Sequence, residues 1–185
     1  MPETGNIARD VLQAVEFAAH KHRDQRRRGV EASPYINHPI QVAELLSRVG
    51  EVDDLATLIA AVLHDTVEDT ETTLDDLEDA FGPEIRHLVD EVTDDTSLPK
   101  AERKRRQIEH APQLTDRAKL IKIADKTCNV RDVGHDPPDD WSEARRVDYL
   151  DWAERVVAGC RGINEKLDSY FDECLAASKE ALSES

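Results

Sequence analysis

The stretch His64-Asp65-Thr66-Val67-Glu68-Asp69 sets an imidazole and three carboxylates at the end of the apolar run Leu55 to Leu63. Side chains of these types either ligate divalent cations or move protons. Helical spacing brings His64 near Glu68, and Asp65 near both Glu68 and Asp69. Burying an imidazole and a carboxylate beside Leu63 and Val67 costs several kcal/mol unless a charge or hydrogen bond compensates, and one divalent cation compensates both. The plainer alternative is that His64 and Asp65 cap a helix while Glu68-Asp69-Thr70-Glu71 is solvated loop.

Two residues elsewhere favour the cation. His38 stands at a helix start in Asn37-His38-Pro39, and Asp125 ends a second apolar run, Leu120 to Ala124. Two histidines and two aspartates from three helices suit an octahedral site with room for water, and this ligand mixture fits manganese, iron or zinc better than calcium. Such a cation polarises a phosphoryl oxygen and acidifies water. A neighbouring carboxylate pair can take the proton near neutrality, because like charges raise each other's pKa. Arg26-Arg27-Arg28 precede His38 in a loop, and guanidinium groups both stack on bases and pair with phosphate. Arg103, Lys104, Arg105 and Arg106 read instead as a solvated helix face, and Trp141 and Trp152 as packing.

Helices must position these groups. Ile7, Val11, Val15 and Ala18 recur at helical spacing to about His22; a second helix, capped by Asn37 or His38, runs through Val49. Leu55 to Leu63 is apolar all round and therefore central. Thr73 with Asp76 forms a capping box before a helix ending at Gly82, and Pro83 starts the next. Further patterns run from Pro99 to His110, from Thr115 to Val130, and from Trp141 almost to the end with a break at Gly159 or Gly162. No alternating strand pattern competes. The expected fold is an all-α bundle of about eight or nine helices. It forms one domain over residues 1–185, with a core over about 7–160 and a last helix to about 182.

Composition narrows the partners. With 40 Asp and Glu against 24 Lys and Arg, the net charge of −16 opposes non-specific binding to nucleic acid or anionic lipid. An anionic substrate then needs a local basic patch and a metal. Cys128, Cys160 and Cys174 show no CxxC spacing and read as inert core thiols in a reducing compartment. Residues 1 to 10 lack an apolar targeting core and Leu55 to Leu63 is too short to span a membrane, so a cytoplasmic protein is expected.

In order, His38, His64-Asp65 and Asp125 resemble the HD superfamily. The flanking motifs Arg27-Arg28, Pro34-Tyr35-Ile36-Asn37-His38-Pro39, Leu63 to Thr70, Phe81-Gly82, Val92-Thr93-Asp94, Asp125-Lys126, Asn129 and Arg131-Asp132 resemble the small single-domain form of the RelA/SpoT-type alarmone hydrolases, of metazoan type. The resemblance covers most of residues 10 to 155. It implies manganese-dependent hydrolysis of the 3′-diphosphate of guanosine tetra- or pentaphosphate, without a synthetase or regulatory domain. It further implies His38, His64, Asp65 and Asp125 as metal ligands and Glu68 and Asp69 as the pair that positions and deprotonates water. Arg27, Arg28, Lys100, Asn129, Arg145 and Tyr149 would contact the nucleotide. Thr127 and Cys128 stand where that family usually has larger apolar and aromatic residues, a departure that touches pocket packing near the ribose more than the metal. The alternatives are a broader nucleotide phosphohydrolase, acting for example on the 2′-phosphate of NADPH, and a nucleotide sensor without catalysis.

Overall fold

Short polar side chains set five of the ten α-helix starts in the computed structural model, which describes residues 7–183. The first helices are α1 (Ile7–Lys21), α2 (Asn37–Arg48), α3 (Leu55–Leu63), the single turn α4 (Thr66–Asp69) and α5 (Leu74–Phe81). They are followed by α6 (Pro83–Val92), α7 (Lys100–His110), α8 (Asp116–His135), α9 (Glu143–Ala158) and α10 (Glu165–Ser183). The side chain of Asp54 accepts the Thr57 amide at 2.9 Å to cap α3, and Thr73 and Asp76 cap each other's amides at α5. Thr115 and Ser142 do the same for α8 and α9, each such cap stabilising by about 1 kcal/mol. An isolated bridge between Arg26 and Pro34 is the one β pairing among the described residues. Residues 1–6 and 184–185, on which part of the targeting and domain readings falls, lie outside the described residues.

The fold is the expected all-α bundle, with three differences in detail. No side chain caps α2: Ile36 occupies the N-cap, so Asn37 and His38 are already helical and His38 is free to point inward. Helix α8 continues past Val130 to His135, because Gly134 lets it approach α10 so closely that a Cβ there would lie 2.5 Å from Ser178 Oγ. After α3 the chain turns through His64 and Asp65 into the single turn α4, so Glu68 and Asp69 lie in a helical turn and not in the solvated loop of the plainer alternative. The break between α9 and α10 turns at Gly162, whose φ of +90° favours glycine, and Asn164 Oδ1 accepts the amides of Lys166 and Leu167, both at 3.1 Å.

Helix α3 lies at the centre, with Ile59 to Leu63 all buried. Helices α1, α2, α6 and α8 pack around it, bringing Ala14 and Ala18, Leu45 and Leu46, Leu88 and Val89, and Ile121 and Ile123 into one buried core that Leu150 of α9 and Phe171 of α10 also join. Each of the larger side chains contributes about 1.5–3 kcal/mol on full burial. The N-terminus of α2, the C-terminus of α3 and the middle of α8 thereby meet at one point. Among the described residues, no helix is long and apolar enough to cross a membrane.

Candidate active site

Because α3 ends inside the protein, His64 follows Leu63 into a buried position, and its Nδ1 lies 2.7 Å from the Ala61 carbonyl. That contact assigns the Nδ1 proton and turns the Nε2 lone pair outward in the neutral ring. Nε2 faces Asp65 Oδ2 at 3.1 Å and Asp125 Oδ1 at 3.8 Å. His38 enters from α2, its Nε2 3.2 Å from Asp125 Oδ1 and 3.7 Å from Asp65 Oδ2. The four residues expected as ligands therefore converge, and ligand atoms of His38, His64 and Asp65 fall within 4.8 Å of one another.

Their chemistry fits a cation. His64 Nε2 is buried without a hydrogen-bond partner despite the nearby carboxylates. A lone pair set against carboxylate oxygens is repulsive until a positive charge enters between them. In the metal-free protein a proton can serve: burial opposes charging His64, but Asp65 and Asp125 outweigh it and raise its pKa to about 10. Burial instead dominates at His38 and lowers it. Burial would raise the two carboxyls, yet both lie well below their usual range, Asp65 because of His64 and Asp125 because of Lys126. Three further contacts hold the carboxylates in place. Tyr35 donates its hydroxyl to Asp65 at 2.7 Å, while Lys126 and Asn129 donate to Asp125 at 2.8 and 2.6 Å.

The cluster lies under the floor of a cleft of about 1320 Å³, which His38 lines together with Glu68, Asp69, Arg27, Arg28, Lys100, Asn129 and Tyr149. Glu68 accepts the Asp94 amide at 3.2 Å and Arg103 Nη1 at 3.2 Å. Burial, then Asp94 and Asp65, push its pKa up to about 7. Asp69, open to solvent at its outer edge, is raised by partial burial and then by Asp65. Arg27 reaches Asp132 at 2.6 Å and Asn129 at 2.8 Å, so Asn129 links it to Asp125.

The surroundings of the cleft add detail. Arg145 stands beside the cleft residue Trp141: its guanidinium stacks 4.5 Å from that ring and pairs with Asp140 at 3.6 Å. Thr127 and Cys128 are wholly buried in α8 and are absent from the cleft lining. Arg105 and Arg106 are solvated and pair with Glu102, but Arg103, Lys104 and Gln107 line the cleft. With Lys100 they follow the i, i+3, i+4, i+7 spacing of one helix face, a signal open to inspection in the sequence. Trp141 and Trp152 also line the cleft, and Trp152 carries Lys104 and Lys126 over its ring at 4.6 and 4.8 Å.

Arg27→Ala and Arg28→Ala are expected to raise KM by about ten- to a hundredfold with a smaller fall in kcat, since both line the cleft and Arg27 is hydrogen-bonded to the histidine-aspartate cluster only through Asn129. Steady-state kinetics checks this: a large kcat loss at unchanged KM would put them at the reacting bond.

A helical bundle that buries His38, His64-Asp65 and Asp125 at one point has the HD arrangement, and the HD domain family profile matches residues 14–153; the chain belongs to that family. Within it, the chain is similar to proteins named guanosine-3′,5′-bis(diphosphate) 3′-pyrophosphohydrolase MESH1. The Mus musculus protein is 53% identical over 169 residues, covering 91% of this chain and 94% of that relative. The Homo sapiens protein is 52% identical over 164 residues, 89% and 92% of the respective chains. A solved structure, described as a metazoan ortholog of SpoT that hydrolyzes ppGpp and plays a role in starvation responses, superimposes with a TM-score of 0.88 at 44% identity, covering 95% of this chain and 96% of that one.

Proposed function

We propose that this chain is a metal-dependent hydrolase that removes the 3′-diphosphate of guanosine tetra- or pentaphosphate, releasing pyrophosphate and GDP or GTP. The observation that carries this reading is the inward-facing two-histidine, two-aspartate cluster beneath a cleft lined by Glu68 and Asp69 together with Arg27, Arg28 and Lys100. The names of the relatives supply the substrate class. His38, His64, Asp65 and Asp125 hold the cation, which we take as manganese from the resemblance to the RelA/SpoT-type hydrolases, a choice their mixed nitrogen and oxygen donors accept. When bound, the cation supplies positive charge to a phosphoryl oxygen and acidifies water.

The remaining work falls to the chain. Glu68, poised near neutrality, takes a proton from the attacking water with Asp69 beside it. Water adds to the phosphorus joined to the ribose 3′-oxygen, the P–O3′ bond breaks, and the oxygen leaves with a proton returned from the acid pair. Arg27, Arg28, Lys100, Asn129 and Tyr149 hold the nucleotide, and Arg145 acts at longer range by supporting Trp141. Three buried, unpaired thiols suit a reducing cytoplasm, and we treat residues 1–185 as one domain.

The test is a substrate panel with metal-loaded protein. Guanosine tetraphosphate should yield pyrophosphate and GDP in equal amounts. After chelation, manganese should restore activity more fully than magnesium or calcium. The cleft also has room for a dinucleotide, so NADPH belongs in the panel. Orthophosphate release from NADPH in preference would support the broader phosphohydrolase, and absence of turnover on every ribose phosphate would support a sensor.

A further inference from the structure

Arg103 has no task in the mechanism above, yet it occupies a telling position. Its Nη1 stands 3.2 Å from Glu68 Oε1, with the two side chains only 28% and 22% exposed. Its Nε–H is sealed from solvent and has no acceptor. A guanidinium presents five N–H donors in a rigid fork matched to phosphate or carboxylate oxygens, and the contact to Glu68 uses Nη1 alone. The protein thus covers a cationic fork that its own acceptors leave partly unused, on a cleft wall that an anion must approach.

The neighbouring cations are differently committed. Lys104 lies over the rings of Trp152 and Tyr149 at 4.6 and 5.3 Å. Lys122, buried in α8, gives its ammonium to the Val92 carbonyl at 2.7 Å. Glu68 is faced by Asp65 from the end of α3, Asp94 from the turn after α6, Lys122 from α8 and Arg103 from α7. Of those two cations, Arg103 is the one that lines the cleft.

We infer that Arg103 is a further catalytic residue, which pairs with Glu68 in the empty cleft and exchanges that carboxylate for the diphosphate of the substrate. The inference rests on the hydrolase reading given above. Once a phosphoryl group draws the guanidinium away, Glu68 is left with Asp65, Asp94 and the distant charge of Lys122, so it becomes a stronger base only when substrate is present. Arg103 meanwhile holds the oxygens of the group that leaves as pyrophosphate. No bond to Arg103 forms or breaks; the water proton still goes to Glu68.

Binding of inorganic pyrophosphate to the metal-loaded full chain, followed by calorimetry, tests the exchange in Arg103→Gln, Arg103→Lys and Glu68→Gln. Arg103→Gln should weaken pyrophosphate at least tenfold and lower kcat with metal affinity unchanged, and Arg103→Lys, which preserves the charge if the glutamine variant folds poorly, should recover part of both. Glu68→Gln should bind pyrophosphate as tightly as the native protein or more so, since its arginine is released, while kcat collapses. If instead both arginine variants bind pyrophosphate at native strength, Arg103 merely braces Glu68 and the inference is overturned. Native turnover in Glu68→Gln is a separate result: it removes the base assignment on which the exchange depends.

Discussion

His64→Ala or Asp125→Ala should abolish high-affinity metal binding and lower kcat to the level of chelated protein, a loss of roughly four orders of magnitude or more if the cation supplies the charge stabilisation usual for such sites. Each residue faces two partners across the cluster, at 3.1–3.8 Å for His64 and 3.2–3.8 Å for Asp125. Removing either therefore leaves the remaining groups mutually repelling as well as short of a ligand. Metal content after dialysis, measured alongside circular dichroism, separates ligand loss from unfolding. Full occupancy in a folded His64→Ala variant would show that the cation is held by other residues.

Glu68→Gln and Asp69→Asn should retain metal and nucleotide but lose roughly two or more orders of magnitude in kcat, as expected for removal of a general base. The native kcat/KM, which reports the free enzyme, should fall as pH drops through about 7, the pKa to which burial, Asp94 and Asp65 push Glu68. The same shift makes a stability prediction of opposite sign. A carboxyl whose pKa is raised in the fold favours the protonated state, so ionised Glu68 weakens the metal-free protein above pH 7 and ceases to do so below the ordinary carboxylate range. Metal-free Glu68→Gln should accordingly melt higher than native protein at pH 8, and the difference should close on acidification. Equal melting temperatures at pH 8 would mean that Arg103 already neutralises the charge.

The metal cluster was legible in the sequence because its members interrupt apolar runs. His64-Asp65 follows Leu55 to Leu63, and Asp125 follows Leu120 to Ala124, so burial of polar groups could be inferred from the neighbours alone. Most helix boundaries followed from residues that act locally, such as Thr73 with Asp76. The misplaced features depend on distant contacts. Extension of α8 to His135 goes with the close approach of Gly134 to Ser178 of α10, 44 residues further on. The α7 cations divide by helical spacing, which sets Arg103 with Lys100 and Lys104 and leaves Arg105 on another face, but which face meets the cleft is decided by contacts such as that of Arg103 with Glu68.

The meeting of α2, α3 and α8 at one point also has a consequence for how the chain comes apart. His38 and Asp125 are about 90 residues distant along the backbone, and closing a loop of that length in a flexible chain costs on the order of 4 kcal/mol in entropy. Any cation bridging them acts as a removable cross-link, tying an early segment of the polypeptide to a late one. Unfolding that separates α8 from α2 has to open this link, whereas fraying of α1 or the end of α10 does not. Metal supply should therefore slow global opening and leave local fluctuations at the termini unchanged, so hydrogen exchange would show protection rising in α2, α3 and α8 together as the site fills.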